Sequence, residues 1–286
     1  MSPSRNIMFT ALDSMEDLPT MPSVIQQIQS VLSDDDASAD KIAQIISEDP
    51  SLTSKILKVV NSAFYAARGS RISSVKLAVA RLGLSEVNRI CQLLSVIKTF
   101  SDFGLNIDHV LFWKHSLMCG MTARYLHQLA QLDSSQEDDV YVGGLLHDIG
   151  FLILDQYFPA PLREIGDAAS GQGLSFAEAE QQIIQSDHGE IGSFVLEKWN
   201  LSPGVILAVS FHHKIDQCDP HYKNIALLVQ AADAICAKEG VGGVFEHDSE
   251  YDSDAILEQI GLTSKWPEIE TFVEKLRKES DSLLAV

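Results

Sequence analysis

Apolar residues recur at three- and four-residue spacing through nearly the whole of this 286-residue chain, and no segment alternates apolar with polar residues between hairpin turns. A period near 3.6 gathers side chains onto one helical face, so the expected fold class is all-α. Val24, Ile25, Ile28, Val31 and Leu32 form a first stripe that ends at Asp34-Asp35-Asp36. A second passes through Ile42, Ile45 and Ile46 and stops before Pro50. Asp49-Pro50 reads as a helix start, because aspartate accepts an orphan N–H and proline lacks one there. The helix that follows carries Leu52, Ile56, Val59 and Val60 and runs out near Asn61. Val75, Val79 and Leu82 mark another, broken at Gly83, and Ser85 is expected to cap the helix that continues to Phe100. Five short helices should fill this part of the chain.

Turn-forming residues interrupt the pattern from Ser101 to Asn106, which makes this the expected lobe boundary. Longer helical patterns follow at about 108–130, about 139–158 ended by Pro159 and Pro161, about 175–186, about 189–199, about 203–213 and about 222–239. The organisation expected is a tail over 1–14, a helical lobe over 15–104, a second lobe over 105–240 and a helical appendage over 241–286, and such a length is ample for two cores. The N-terminus shows no basic start followed by an apolar run, and no apolar stretch approaches the roughly 20 residues that span a bilayer. Cys91, Cys119, Cys218 and Cys236 are scattered, form no CxxC pair and sit in apolar patterns as small hydrophobes, which fits a reducing compartment. The expectation is a soluble, cytoplasmic protein without membrane partners.

Forty acidic against twenty-one basic residues give a net charge of -19. That field repels phosphate backbones and argues against general nucleic-acid binding. The acids concentrate at Asp34–Asp36, Glu137–Asp139 and between Glu246 and Asp254, where solvated loops are the plain reading.

Nine histidines are present and none falls in the first hundred residues. His115 lies in FWKHSLMCG, and His147-Asp148 interrupt the apolar run GGLLHDIG, so that their side chains should point inward. A buried carboxylate needs a cation or several donors, since unpaired polar burial costs about 2–7 kcal/mol and charge costs more. His188 opens a helix, His212-His213 end another, and Asp233 interrupts LLVQAADAICA. Imidazoles and carboxylates brought together from several helices suit divalent iron, manganese, zinc, nickel or magnesium. Such an ion can lower the pKa of a bound water and polarise a phosphoryl oxygen. The same residues can instead hydrogen-bond one another and staple the lobe together without metal. His109, His127, His221 and His247 read as surface or cap residues.

The order His, His-Asp, His, His-His, Asp resembles the HD superfamily of metal-dependent phosphohydrolases, with its HD-GYP branch most similar in the last histidines. The segments LPTMPSVIQQI, EDPSLTSKILKVVNSAFY and RISSVKLAVARLGLSEV are similar to those of the HDOD family, and GGLLHDIG, SDHGEIGSFVLEKWNLS and VSFHH continue the likeness over residues 15–240. The resemblance implies a two-lobed, multi-helical fold whose second lobe is HD-like, and a bacterial signalling regulator or adaptor with a protein partner or a small regulatory ligand. Carried over residue by residue, it implies that His115, His147, Asp148 and Asp233 hold one metal. Asp148, the candidate catalytic residue, would bridge to a second ion on His188 and His212 or His213. A metal-dependent phosphohydrolase acting on a nucleotide or other phosphoester is the alternative. Against turnover, Phe151 stands where many active HD enzymes place a lysine, Leu111 where trinuclear relatives place a glutamate, and HHKIDQCDPHYKN lacks the GYP segment. In the first lobe, Asn61 is expected to cap a helix. Phe64 and Tyr65 should either fill the seam between lobes or line a groove for a partner.

Overall fold

The computed structural model describes residues 5–15, 18–32, 38–62, 64–65, 72–100, 107–243 and 251–284. The acidic run Asp34–Asp36, the expected boundary Ser101–Asn106, His247 and most of the stretch from Glu246 to Asp254 lie outside them. Among the described residues the fold is all-α, with sixteen α-helices, three single-turn 3-10 segments and no strand. No described helix is long and apolar enough to cross a membrane.

The chain divides into two compact units. The smaller takes in Pro19–Asp102 and Lys275–Val286 and holds α2 (Ser23–Leu32), α3 (Ala39–Ser47), α4 (Pro50–Val60), α5 (Val75–Leu82) and α6 (Leu84–Phe100). Helix α4 packs on α6, α3 on α5, and α2 on both α3 and α6, around the fully buried Ile28, Ile42, Ile46 and Ile56. Local chemistry sets the starts: Asp49 accepts the Leu52 N–H at 3.0 Å with Pro50 at the first helical position, and Ser38 and Ser74 cap α3 and α5 in the same way. Ser85 does not cap α6. Gly83, at a φ of +87°, ends α5, and its own carbonyl accepts the Val87 N–H, so α6 begins at Leu84 with Ser85 inside its first turn. Asn61 closes α4 and holds the backbone of Ile72. Its Nδ2 donates to Leu57 O at 2.6 Å and Ile72 O at 2.8 Å, and its Oδ1 accepts the Ile72 N–H at 2.8 Å. Tyr65 donates to Glu86 Oε1 at 2.8 Å.

The larger unit takes in Met1–Leu18 and Phe103–Glu274. Its helices are α1 (Arg5–Ser14), α7 (His109–Leu129), α8 (Glu137–Leu146), α9 (Ile149–Tyr157), α10 (Pro159–Gln172), α11 (Phe176–Ile184), α12 (His188–Lys198), α13 (Pro203–Phe211), α14 (Lys223–Lys238) and α15 (Ser253–Gln259), while α16 runs from Trp266 to Leu284. Residues expected as a tail thus include a helix. Helix α1 lies on α12 through the edge-on rings of Phe9 and Phe194, an Arg5–Glu190 ion pair, and Lys198 to Asp13 at 2.8 Å.

Two further expectations change. The single helix at about 139–158 is two, α8 and α9, and His147-Asp148 form the break between them. Pro159 starts a helix instead of ending the region: proline at the first helical position loses no bond, and α10 runs on to Gly173 in the left-handed conformation. Helix α8 packs on α7, α13 and α14, α14 also packs on α7 and α13, and α12 lies on both α9 and α13. The α7–α8 crossing is close because it is made of glycines: a Cβ on Gly144 would sit 2.9 Å from Gly120 Cα.

Candidate metal centre

Five points on this helical frame converge. Helix α7 brings His115 and Cys119, the α8–α9 break brings His147 and Asp148, the first residue of α12 is His188, the C-terminal end of α13 brings His212 and His213, and α14 brings Asp233. His115, His147, His188 and His212 are each 1% exposed, Asp233 4% and Asp148 6%, so these polar groups must find their partners within the protein. His213 is half-buried.

The ring orientations are fixed by the outward-facing nitrogens. Nδ1 of His115 donates to Val241 O at 2.9 Å, Nδ1 of His147 to Gly144 O at 2.8 Å, and Nδ1 of His212 to Val209 O at 2.7 Å. Nδ1 of His188 donates to the buried carboxylate of Glu180 at 3.0 Å. A carbonyl or carboxylate only accepts, so each Nδ1 holds a proton, and in its neutral form each ring aims an Nε2 lone pair inward. These lone pairs meet. Nε2 of His115 lies 3.2 Å from Nε2 of His147, and Nε2 of His188 lies 3.3 Å from Nε2 of His212. Two facing lone pairs repel unless a proton or a metal cation lies between them.

The carboxylates complete the set. Asp233 Oδ1 is 3.3 Å from His115 Nε2. Asp148 turns its two oxygens to different histidines: Oδ2 is 3.4 Å from His147 Nε2 and 3.7 Å from His115 Nε2, and Oδ1 is 3.5 Å from His188 Nε2. Among the described residues three groups have donor atoms mutually within 4.8 Å: His115, Cys119, His147 and Asp233; His188, His212 and His213; and His147, Asp148 and His212. All seven residues singled out from the sequence lie in this one region of the larger unit, and the buried donor set could hold a divalent metal ion.

Burial governs the electrostatics. Desolvation lowers the pKa of His147, lowers that of His212 well below the usual histidine value and brings His213 down to about 4, aided for the last by the charge of His188. His115 goes the other way. Burial alone would lower it, but the hydrogen bond to Asp233 and the charges of Asp233 and Asp148 lift it to about 10, while His115 holds the Asp233 carboxyl below its usual range against burial. Without metal, the first pair of facing nitrogens is therefore settled by a proton on His115.

Three neighbours escaped the sequence reading. Glu180 is fully buried and accepts both Nδ1–H and the backbone N–H of His188, the latter at 3.0 Å. Cys119 lies one turn from His115, its Sγ 3.5 Å from His115 Nε2. Tyr251 stacks on His213 and accepts from its Nδ1 at 3.2 Å. His127, expected at the surface, is 2% exposed and joined through Nε2 to Asp133 O at 3.1 Å, because it shares the inward face of α7 with Ala123 and Leu126. His221 is exposed and His109 partly so. Phe151 is buried and stacks face to face on His188, ring centroids 4.1 Å apart, with Phe176 against its edge.

An uncharacterized protein of Treponema pallidum (strain Nichols) is 26% identical over 223 residues, which cover 77% of this chain and 42% of that protein, so the chain spans less than half the length of this curated relative. Among solved structures, an HDOD domain protein of unknown function from Geobacter sulfurreducens matches with a TM-score of 0.84 at 21% identity over 97% of each chain. A candidate signal transduction protein from Marinobacter aquaeolei VT8 matches at 0.72 and 22% over 94% of this chain and 59% of its own, and a candidate phosphohydrolase from Shewanella amazonensis SB2B at 0.72 and 22% over 95% of each. At these identities the likeness is one of fold. The HDOD domain pattern itself matches residues 18–215, well over half of the sequence, and the chain belongs to the HDOD family.

Proposed function

We propose that this protein is a signalling adaptor of HDOD type, in which the histidine–aspartate cluster binds a divalent metal to stabilise the larger unit and the helical surfaces engage a protein partner or a small regulatory ligand. His115, His147 and Asp233 would hold one ion, and Asp148 would bridge toward a second on His188, His212 and His213. The observation that carries this reading is closure. Apart from the half-buried His213 the ligand side chains are nearly inaccessible, and Phe151 covers His188 with an aromatic face where a catalytic site for phosphoesters needs an open, cationic approach. In this role the facing nitrogens of His115 and His147 and of His188 and His212 would hold the metal, whose charge would stand in for the proton on His115, and its binding energy would become folding energy.

A second reading, a metal-dependent phosphohydrolase, draws support from one feature: the two oxygens of Asp148 face different histidine groups, an arrangement suited to two ions. Bound metal would supply an activated water and neutralise charge on a phosphoryl group. Metal analysis of protein purified without chelator, paired with hydrolysis assays on phosphomonoesters and diesters, separates the two. The adaptor reading expects bound metal, a thermal midpoint that falls on chelation, and no turnover that Asp148→Ala abolishes. Metal-dependent hydrolysis lost in Asp148→Ala would overturn it in favour of the enzyme.

A further inference from the structure

The family resemblance leaves Cys119 out of the metal site, yet this side chain occupies a ligand's place. It follows His115 by one helical turn on α7, so both side chains leave the same face, and it is fully buried. Its Sγ lies 3.5 Å from His115 Nε2, His147 Nε2 lies 3.2 Å and Asp233 Oδ1 3.3 Å from the same nitrogen, and Asp148 Oδ2 is farther off at 3.7 Å. Zinc bonds of about 2.0–2.1 Å to nitrogen and about 2.3 Å to sulfur, at tetrahedral angles, require donor separations of about 3.3–3.4 Å between nitrogens and about 3.5–3.6 Å between nitrogen and sulfur. The separations around His115 match that frame.

A second, independent observation points to a cation in the same place: the inward Nε2 atoms of His115 and His147, both on buried rings, face each other with their Nδ1 protons committed elsewhere. Charge agrees as well. Two neutral imidazoles, one thiolate and one carboxylate sum to minus two, which a divalent ion cancels, and a neutral sum is what a desolvated pocket tolerates.

We propose that Cys119 is a ligand of the metal held by His115, His147 and Asp233, and that its thiolate makes zinc the ion this position selects. The proposal rests on the reading that the cluster binds metal. On binding, the Cys119 S–H bond and the His115 Nε2–H bond would break, both protons would leave to solvent, and the electron pairs left on sulfur and nitrogen would form the bonds to zinc. Soft thiolate donors favour zinc over manganese or magnesium, which prefer oxygen. Asp148 is then released from the first position to serve with His188, His212 and His213.

Cobalt(II) is the probe, added to the chelated full-length chain, because thiolate ligation gives cobalt an intense near-ultraviolet charge-transfer band that nitrogen and oxygen ligands do not. The wild type is expected to show the band, Cys119→Ser to bind cobalt without it, and Cys236→Ser to keep it. Zinc affinity in Cys119→Ser should fall by more than about a hundredfold, exceeding the loss usual for residues that only support a ligand. Cobalt binding by the wild type without the band would overturn the assignment of Cys119 while leaving the metal site intact. Absence of any metal binding would overturn both. Because the wild-type spectrum alone decides the first point, a variant that fails to fold does not shelter the idea.

Discussion

Glu180 takes two hydrogen bonds from a single residue, His188, one from the ring Nδ1 and one from the backbone N–H that opens α12. The fully buried carboxylate thereby fixes both the tautomer of the ring and the start of the helix that carries it. Burial raises the Glu180 pKa, and the charge and hydrogen bond of His188 oppose that rise. Glu180→Ala should leave two buried donors unsatisfied and cost about 1–3 kcal/mol in a denaturant titration. Metal affinity should drop by about 10–100-fold, as measured by competition with a chromophoric chelator, since residues that orient a ligand have effects of that size. Unchanged affinity would show that Glu180 supports folding alone.

The chelated protein should have a stability maximum near pH 6.5 so far as these histidines decide it. Burial depresses His147, His212 and His213, so below 6.5 the unfolded chain binds protons that the folded one refuses, and stability falls as pH drops toward the His213 value of about 4. His115 acts on the other side. Its pKa of about 10 exceeds the unfolded value, so its contribution is complete below 6.5 and is lost as pH rises to about 10. Denaturant midpoints across this range check both limbs. Asp233→Asn, which removes the group that holds the His115 proton, should flatten the alkaline limb. Saturating metal should flatten it too, because the ion takes the proton's place.

In the smaller unit, stability should depend on one amide. Asn61 satisfies both backbone groups of Ile72 and the Leu57 carbonyl. Asn61→Ala should destabilise this unit by about 1–3 kcal/mol. Asn61→Asp keeps the acceptor but turns a carboxylate toward two carbonyl oxygens, so it should be at least as damaging at neutral pH and recover in part on acidification. Circular dichroism melts at two pH values test this, and an Asp variant as stable as wild type at neutral pH would refute it.

The fold class and the seven clustered residues were legible because each has a local signature. Asp49-Pro50 is a start signal in two residues, and a histidine or aspartate inside an apolar run is conspicuous by contrast. What was missed lacks such a signature or imitates another. Pro159 and Pro161 read as a stop, yet proline also belongs in the first turn, and only the residues before it decide which. Ser85 has the right chemistry for a cap, but Gly83 performs the reversal first. Glu180 left a faint trace: Phe176, Glu180 and Ile184 recur at four-residue spacing on the buried face of α11, so an acid stands on an apolar stripe just before His188. Cys119 gave none, since a buried cysteine in a helix looks the same whether it packs or ligates.

The approach of α9 to α12 should tolerate no added side chain. Gly150 lies two residues beyond Asp148, and a Cβ there would sit 1.9 Å from the carbonyl oxygen of His188, which is backbone and cannot swing aside. Gly150→Ala must therefore push α12 away from α9, and with it His188 from Asp148 Oδ1, now 3.5 Å apart. The expected cost is about 1–3 kcal/mol or more, as for other overpacked sites. Metal at the His188, His212 and His213 position should be lost before metal at His115, because α7 and α14 do not move. Gly166, in the partly exposed middle of α10 with open space where a Cβ would go, is the control. Gly166→Ala should stabilise by about 0.5–1 kcal/mol through helix propensity alone. Metal stoichiometry and thermal midpoints of the two variants check the contrast, and a Gly150→Ala protein with wild-type stability and full metal content would show that the helices are not held this close.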